Sequence, residues 1–471
     1  MCIRDSAYST LLVSRRRELH RVAASAIERI YVDRIPEFVE VLAQHYQTAG
    51  ELERALDFLI RAADKAISNL ALTTSLEFLN AADELAVTLE DATKRGEIAM
   101  RKAHVHLSAS NFSAAADTFG DARTLWADTG SAEGEALALA FEAFAHYWGH
   151  QFEEAETLAD RAAELAEASN EPMPDVELLA NVFRSLVLLA VGRIEESRPF
   201  IDRAMALVPQ VEDPMARGLV VFAGWHLAAW EARFDELVDY LREWRSTLES
   251  TGNSLFSLAA LWLEAVPLAG RGDYQDALHL LEETLTLSDR VGDVYVRTRA
   301  LNTIGWIYGD LGNPATAADW NRRSRDEAAA AGFPDPEVEC NARLNLGDNL
   351  MAMGLLEDAE QEFRHVDVIV GDPRPEERND IVRYSQHLHH SFGELLLARN
   401  ETDAALDRAN RCLAAAEEHG HLKNIVKARR LRGEVYMARG QLGQARNELD
   451  QARTIAAEVS NPPQLLSLIH I

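Results

Sequence analysis

Apolar residues recur at intervals of three and four along almost the whole chain, the period of amphipathic helices packed on one face. Three C-terminal stretches superimpose residue for residue. One runs Leu346-Gly347, Leu350, Gly354, Ala359, Phe363 and Val366; another runs Leu431-Arg432-Gly433, Tyr436, Gly440, Ala445, Leu449 and Ala452. The third is Ile304-Gly305, Tyr308, Gly312 and Ala317. In each, a large residue follows the small one by three positions, a glycine comes four later and an alanine five after that. The spacing predicts two antiparallel helices. Gly305, Gly347 and Gly433 admit the facing helix, and Gly312, Gly354 and Gly440 supply the positive φ that ends the first helix. Ala317, Ala359 and Ala445 then sit where the second helix crosses the first.

Equivalent second-helix positions are Ala55, Ala115, Ala155, Ser197, Leu237, Ala277, Ala317, Ala359, Ala405 and Ala445, and from Ala115 onward every step is 40 to 46 residues. The step of 60 from Ala55 to Ala115 leaves room for a weaker unit around Ser75, Leu79 and Ala82. The offsets of small and large residues resemble those of the tetratricopeptide repeat, with a period longer than its usual ~34 residues. The resemblance implies an all-α fold, a right-handed α-solenoid of about ten TPR-like helix pairs with a ~40-residue period. Pro172, Pro174, Pro209, Pro214, Pro334, Pro336, Pro373, Pro375, Pro462 and Pro463 fall between predicted helices. Pro199 and Pro267 fall inside them and predict kinks or shifted boundaries. The 46-residue step coincides with Gly371-Asp372-Pro373-Arg374-Pro375, read as a longer loop.

Charge narrows the function classes. The 47 Lys and Arg face 76 Asp and Glu, a net charge of −29, which excludes nonspecific nucleic-acid binding as the main activity. No apolar run approaches the ~18 residues of a membrane span, so neither direct nucleic acid nor membrane is an expected partner. Three cysteines exclude a disulfide scaffold and suggest a reducing, cytoplasmic setting. Cys340 and Cys412 read as small core residues. Five Lys against 42 Arg, with abundant Ala, fits a GC-rich bacterial genome. The two ends look foreign: DNA encoding Leu466 to Ile471 can be the reverse complement, one base out of step, of DNA encoding Met1 to Ser6. Such an inverted repeat resembles a sequencing adapter, so 1–6 and 466–471 are expected to be adapter-derived.

The first native stretch, Ala7 to Leu12 followed by Ser14-Arg15-Arg16-Arg17-Glu18-Leu19-His20-Arg21, predicts a basic helix on an acidic protein. It runs through Pro36, Leu42-Ala43, His45-Tyr46, Gly50, Glu53-Arg54-Ala55 and Ala62-Ala63 into the repeats. This succession resembles the junction in bacterial signalling ATPases of the STAND class, especially adenylate/guanylate cyclase–ATPase fusions. That resemblance implies that 7–33 is the helical tail of a preceding domain, that 34–465 is the repeat array, and that the array is a sensor arm for an upstream NTPase or cyclase.

Catalytic motifs are sparse. No Gly-Lys dipeptide occurs, hence no Walker A loop. Gly270-Arg271-Gly272-Asp273-Tyr274-Gln275 reads as a helix–helix turn rather than a nucleotide or adhesion motif. His146 and His150 have the spacing of a zinc helix without its glutamate, and His387-Leu388-His389-His390 lacks further ligands by spacing. Neither a metal nor another cofactor is expected, and the chain reads as non-enzymatic. The remaining candidate is the inner face of the first helices. Counting the small first-helix residue as position 8, that face falls at roughly positions 2, 5, 6, 9, 12 and 13 and carries Trp262, Arg299, Asn302, Trp306, Asn341, Asn345, Asp348, His387, His390, Glu394, Lys427, Arg430 and Glu434. Amides there can bond an extended peptide backbone, aromatics add contact area, and Arg or Lys can hold a carboxylate or phosphate. The expected ligand is a protein or peptide partner or a small effector. The alternatives to a sensor arm are a freestanding adaptor and a ligand-responsive transcription regulator.

Overall fold

A computed structural model describes residues 12–230, 237–239, 241–242, 245–246, 254–331, 336–370, 379–458 and 468. The adapter-like ends (apart from Leu468), the segment Gly371 to Pro375, and Pro334, Pro462 and Pro463 lie outside the described residues. Among the described residues all regular structure is helical. The chain forms two compact units, 1–180 with 252–254 and 181–251 with 255–471.

The first unit opens with α1 (Val13–Ile30) and a 3-10 turn over Val32–Glu37. It continues through α2 (Val39–Ala49), α3 (Leu52–Ser68), α4 (Leu72–Thr88), α5 (Ala92–Ser108), α6 (Phe112–Thr129), α7 (Ala132–Trp148) and α8 (Phe152–Ala168). α9 (Pro174–Ala190) begins here and ends in the second unit. The forty-residue period has a plain origin: a helix of 17 residues, as in α3, α4 and α5, and a three-residue connection make half of it. Most connections close in the same way, the ends of α1 and α8 excepted. At the end of α3, Leu70 N–H donates to Ile67 O and Ala71 N–H to Ala66 O, the paired bonds that satisfy the last carbonyls of a helix. The first of the two donors takes positive φ, at Leu70, Glu90, Ser110 and His150 as well as at glycines.

α3 has a double role. Its Ala55 is the small residue of a second helix, and its Ala63 stands twelve before Ser75, where a first helix keeps its small residue. Both are fully buried, in one cluster with Ala43 and Tyr46 of α2 and Leu79 and Ala82 of α4. The weaker unit around Ser75 is therefore one added helix packed against a shared α3.

The second unit continues with α10 (Ile194–Leu207), α11 (Pro214–Trp230), α12 (Ser254–Arg271), α13 (Tyr274–Val291), α14 (Tyr295–Asp310) and α15 (Pro314–Ala330). α16 (Pro336–Ala352), α17 (Leu356–Val370), α18 (Asn379–Ala398), α19 (Thr402–Glu418), α20 (Leu422–Ala438) and α21 (Leu442–Glu458) follow. The repeat chemistry holds as expected. Gly312, Gly354 and Gly440 have φ of 75°, 78° and 71°, and Ala317, Ala359 and Ala445 are buried. A Cβ on Gly347 would collide with the Phe363 ring of α17. Pro174, Pro214 and Pro336 are not between helices but at their first positions, where the missing N–H has no partner to lose. Pro199 and Pro267 remain inside α10 and α12, so neither boundary shifts.

Candidate binding face

The first helices α14, α16, α18 and α20 place their expected face residues against one another. Arg299, buried on α14, stacks 3.7 Å over the Tyr295 ring and donates to Glu337 of α16 at 2.6 Å. One turn on, the buried Asn302 accepts from Asn345 of α16 (3.1 Å) and from Asn321 of α15 (2.8 Å). Asn321 in turn accepts from Asn349 at 2.9 Å, and it fits because Gly305 has no Cβ to occupy that space. Asn341 is half-buried on the same side of α16 as Asn345. Trp262 reaches this group from α12, donating through Nε1 to Thr303 of α14 at 3.1 Å.

Ionic groups join the next helices. Asp348 of α16 accepts from His387 Nε2 of α18 at 2.9 Å. Burial, with Lys427 adding to it, holds His387 below its usual range. Burial works against the Asp348 charge, yet His387 and Lys427 outweigh it and its carboxyl stays below the ordinary value. Arg430 of α20 pairs with Glu394 of α18 and donates to His390 Nε2 at 3.2 Å. His390 is held well below its usual value, mainly by burial, and its Nδ1 is a buried polar atom without a partner among the described residues. Burial also raises Glu394, and it pushes Glu434 up to about 7 against the pull of Arg430.

The fourth helix closes back on the first. Lys423 Nζ of α20 lies 4.8 Å from the centre of the Trp306 ring of α14. Neither Lys423 nor Lys427 makes an ion pair among the described residues. Of the thirteen residues expected on this face, twelve stand on these four helices, with Asn341 at the margin, and Trp262 joins them from α12. The face is more self-satisfied than an open groove: most of its polar groups bond one another, because buried polar groups without partners are costly.

Position counting missed Tyr295, Glu337, Arg383 and Lys423. Each stands four residues before the first counted position of its helix, one further turn of the same face. Extending the count by a turn finds all four. Asp310 fell within the count, at position 13, and was passed over.

Other candidates resolve into structure. His150 is not on a helix with His146 but in the turn after α7, with φ of 59°. Arg271 and Asp273 pair with each other at 3.1 Å across the turn after α12. Cys340 and Cys412 are fully buried, and burial pushes the Cys412 thiol up to about 12. Among the described residues, no three His, Cys, Asp or Glu side chains gather to hold a metal ion, and no helix is long and apolar enough to cross a membrane.

No family model matches the chain, and no curated protein does. Solved structures do. A Rap protein complexed with competence and sporulation factor is 13% identical over 72% of this chain and 96% of its own, with a TM-score of 0.52. Aspartyl phosphate phosphatase F from Bacillus subtilis is 13% identical over 76% of this chain and 93% of its own, with a TM-score of 0.50. At such identity the likeness is one of fold, and it agrees with the helix pairs and the turn chemistry: the chain is an all-α solenoid of TPR-like repeats.

Proposed function

We propose that the face shared by α14, α16, α18 and α20 binds a peptide or protein segment, and that the chain is the non-catalytic sensor arm of a larger signalling ATPase or nucleotide cyclase. The observation that carries the first part is the convergence of amides, two lysines that make no ion pair among the described residues, and Trp306 from four successive repeats onto one face. Repeat proteins bind through extended surfaces of this kind. A partner exchanges its own amides and charges for the internal pairs of the face. It shifts the protein toward an opened form by as much as it prefers that form.

The second part rests on the basic α1 leading into the repeats. Residues 7–33 are then the tail of an upstream domain and 34–465 the arm, in a bacterial cytoplasmic protein. Long-read sequencing of the source DNA across both ends tests it: an upstream reading frame with a Walker A motif is expected, and a native start codon just before Ala7 contradicts it. Selection from a random peptide display library tests the first part. Enriched peptides should lose at least tenfold in affinity on Lys427→Ala, and peptides indifferent to that change would refute it.

A further inference from the structure

The contact between Lys423 and Trp306 joins residues 117 positions apart in sequence and helices separated by two intervening first helices. It brings a cation onto an aromatic face beside a carboxylate. Asp310 follows Trp306 by one turn on α14 and accepts from the Tyr274 hydroxyl of α13 at 3.3 Å. Trp306 and Tyr274 are half-buried and Asp310 is exposed, so solvent reaches all three. We propose that Trp306, Asp310 and Tyr274 form a cation-recognition box for an arginine side chain of a peptide partner, and that Lys423 is the chain's own stand-in for that arginine. The inference rests on the reading of this face as a peptide site and names the chemistry of one subsite.

Three arguments favour arginine over the resident lysine. A guanidinium stacks on an indole and meets a carboxylate with two parallel N–H groups, where an ammonium offers a point charge. Lys423 is poorly held as a cation. It has no ion pair among the described residues, and burial followed by repulsion from Lys427 on α20 lowers its amine to about 8, with Arg383 of α18 adding repulsion and Asp310 of α14 opposing. A guanidinium stays charged throughout that range. Finally, a chain of net charge −29 attracts basic partners from a distance.

The test uses the full chain labelled with 5-fluorotryptophan, whose eight fluorine resonances are followed by NMR, that of Trp306 being assigned by its loss in Trp306→Phe. The probes are Nα-acetyl-arginine amide and its neutral isostere, Nα-acetyl-citrulline amide. Emptying the box with Lys423→Met should let the arginine probe shift the Trp306 resonance at about tenfold lower concentration than in the wild type. Asp310→Asn in that background should reverse most of the gain, and citrulline should give no shift at the same concentrations. If Lys423→Met fails to fold, Lys423→Gln serves the same purpose. In the wild type, arginine binding should strengthen from pH 7 to pH 9 as Lys423 loses its proton. Equal binding by wild type and Lys423→Met, or equal shifts from citrulline, would overturn the box. Display peptides that need Lys427 but carry no basic residue and ignore Lys423→Met would also overturn it, while leaving the peptide-binding face standing. Arginine amide bound at Trp306 in a chain that selects no peptides would support the box and remove the wider reading.

Discussion

Leu70, Glu90, Ser110, His150 and Asn400 hold φ between 55° and 63° in the turns where other repeats use glycine. A side chain in that region crowds its own carbonyl, at a cost of about 1–2 kcal/mol. Glu90 is exposed, so nothing else depends on its side chain. Glu90→Gly should raise the unfolding free energy by up to about 1 kcal/mol, the relief being offset in part by the freer unfolded chain; urea titration measures it. These turns show what was legible and what was not. Gly312, Gly354 and Gly440 announce helix ends in the sequence because glycine is the expected residue there. Leu70 and Glu90 give no such signal, since the helix-end hydrogen bonds hold them there against their own backbone preference. His104 is another residue-scale case. Its ring sits edge-on to Phe119 and Phe141, at 5.1 and 4.6 Å between centres, and burial lowers it to about 4. A histidine that stays neutral when folded and protonates more readily when unfolded stabilises fully above pH 6.5, and loses that contribution as pH falls toward 4. His104→Phe should therefore flatten the loss of stability between pH 6.5 and 4.5 by up to about 2 kcal/mol. Parallel pH profiles of wild type and variant would show no difference if the ring titrates normally.

Between elements, the face is held by pairs that each bridge two helices: Arg299 with Glu337, Asp348 with His387, Glu394 with Arg430. Removing one partner strands the other in a poorly solvated place. Arg430→Met should cost roughly 2–3 kcal/mol, and adding Glu394→Met should restore much of it. A double-mutant cycle by chemical denaturation separates the two. Additive losses would mean that the pair contributes little. Position counting recovered most of these residues because the small-residue rule fixes which side of a first helix faces inward. It stopped a turn short, and so lost Glu337 and Lys423. Asn321 was beyond its reach, since it lies on a second helix and enters the face only through the space left at Gly305. Of the kinks or shifted boundaries expected at Pro199 and Pro267, the shift is ruled out, because both α10 and α12 carry the proline inside.

For the molecule as a whole, repeat identity was legible because a forty-residue period leaves so many small residues in register. The mutual pairing of the inner face was not, because no periodic pattern records which helix meets which across two intervening repeats. That pairing makes the central claim a matter of exchange: a partner must replace contacts that α14, α16, α18 and α20 now make with each other. Hydrogen–deuterium exchange with and without a display-selected peptide reads this most directly. Bound peptide should slow exchange in Tyr295–Asp310, Pro336–Ala352, Asn379–Ala398 and Leu422–Ala438 together, with smaller changes in the second helices between them. Protection confined to the second helices, or to the first unit, would contradict the account.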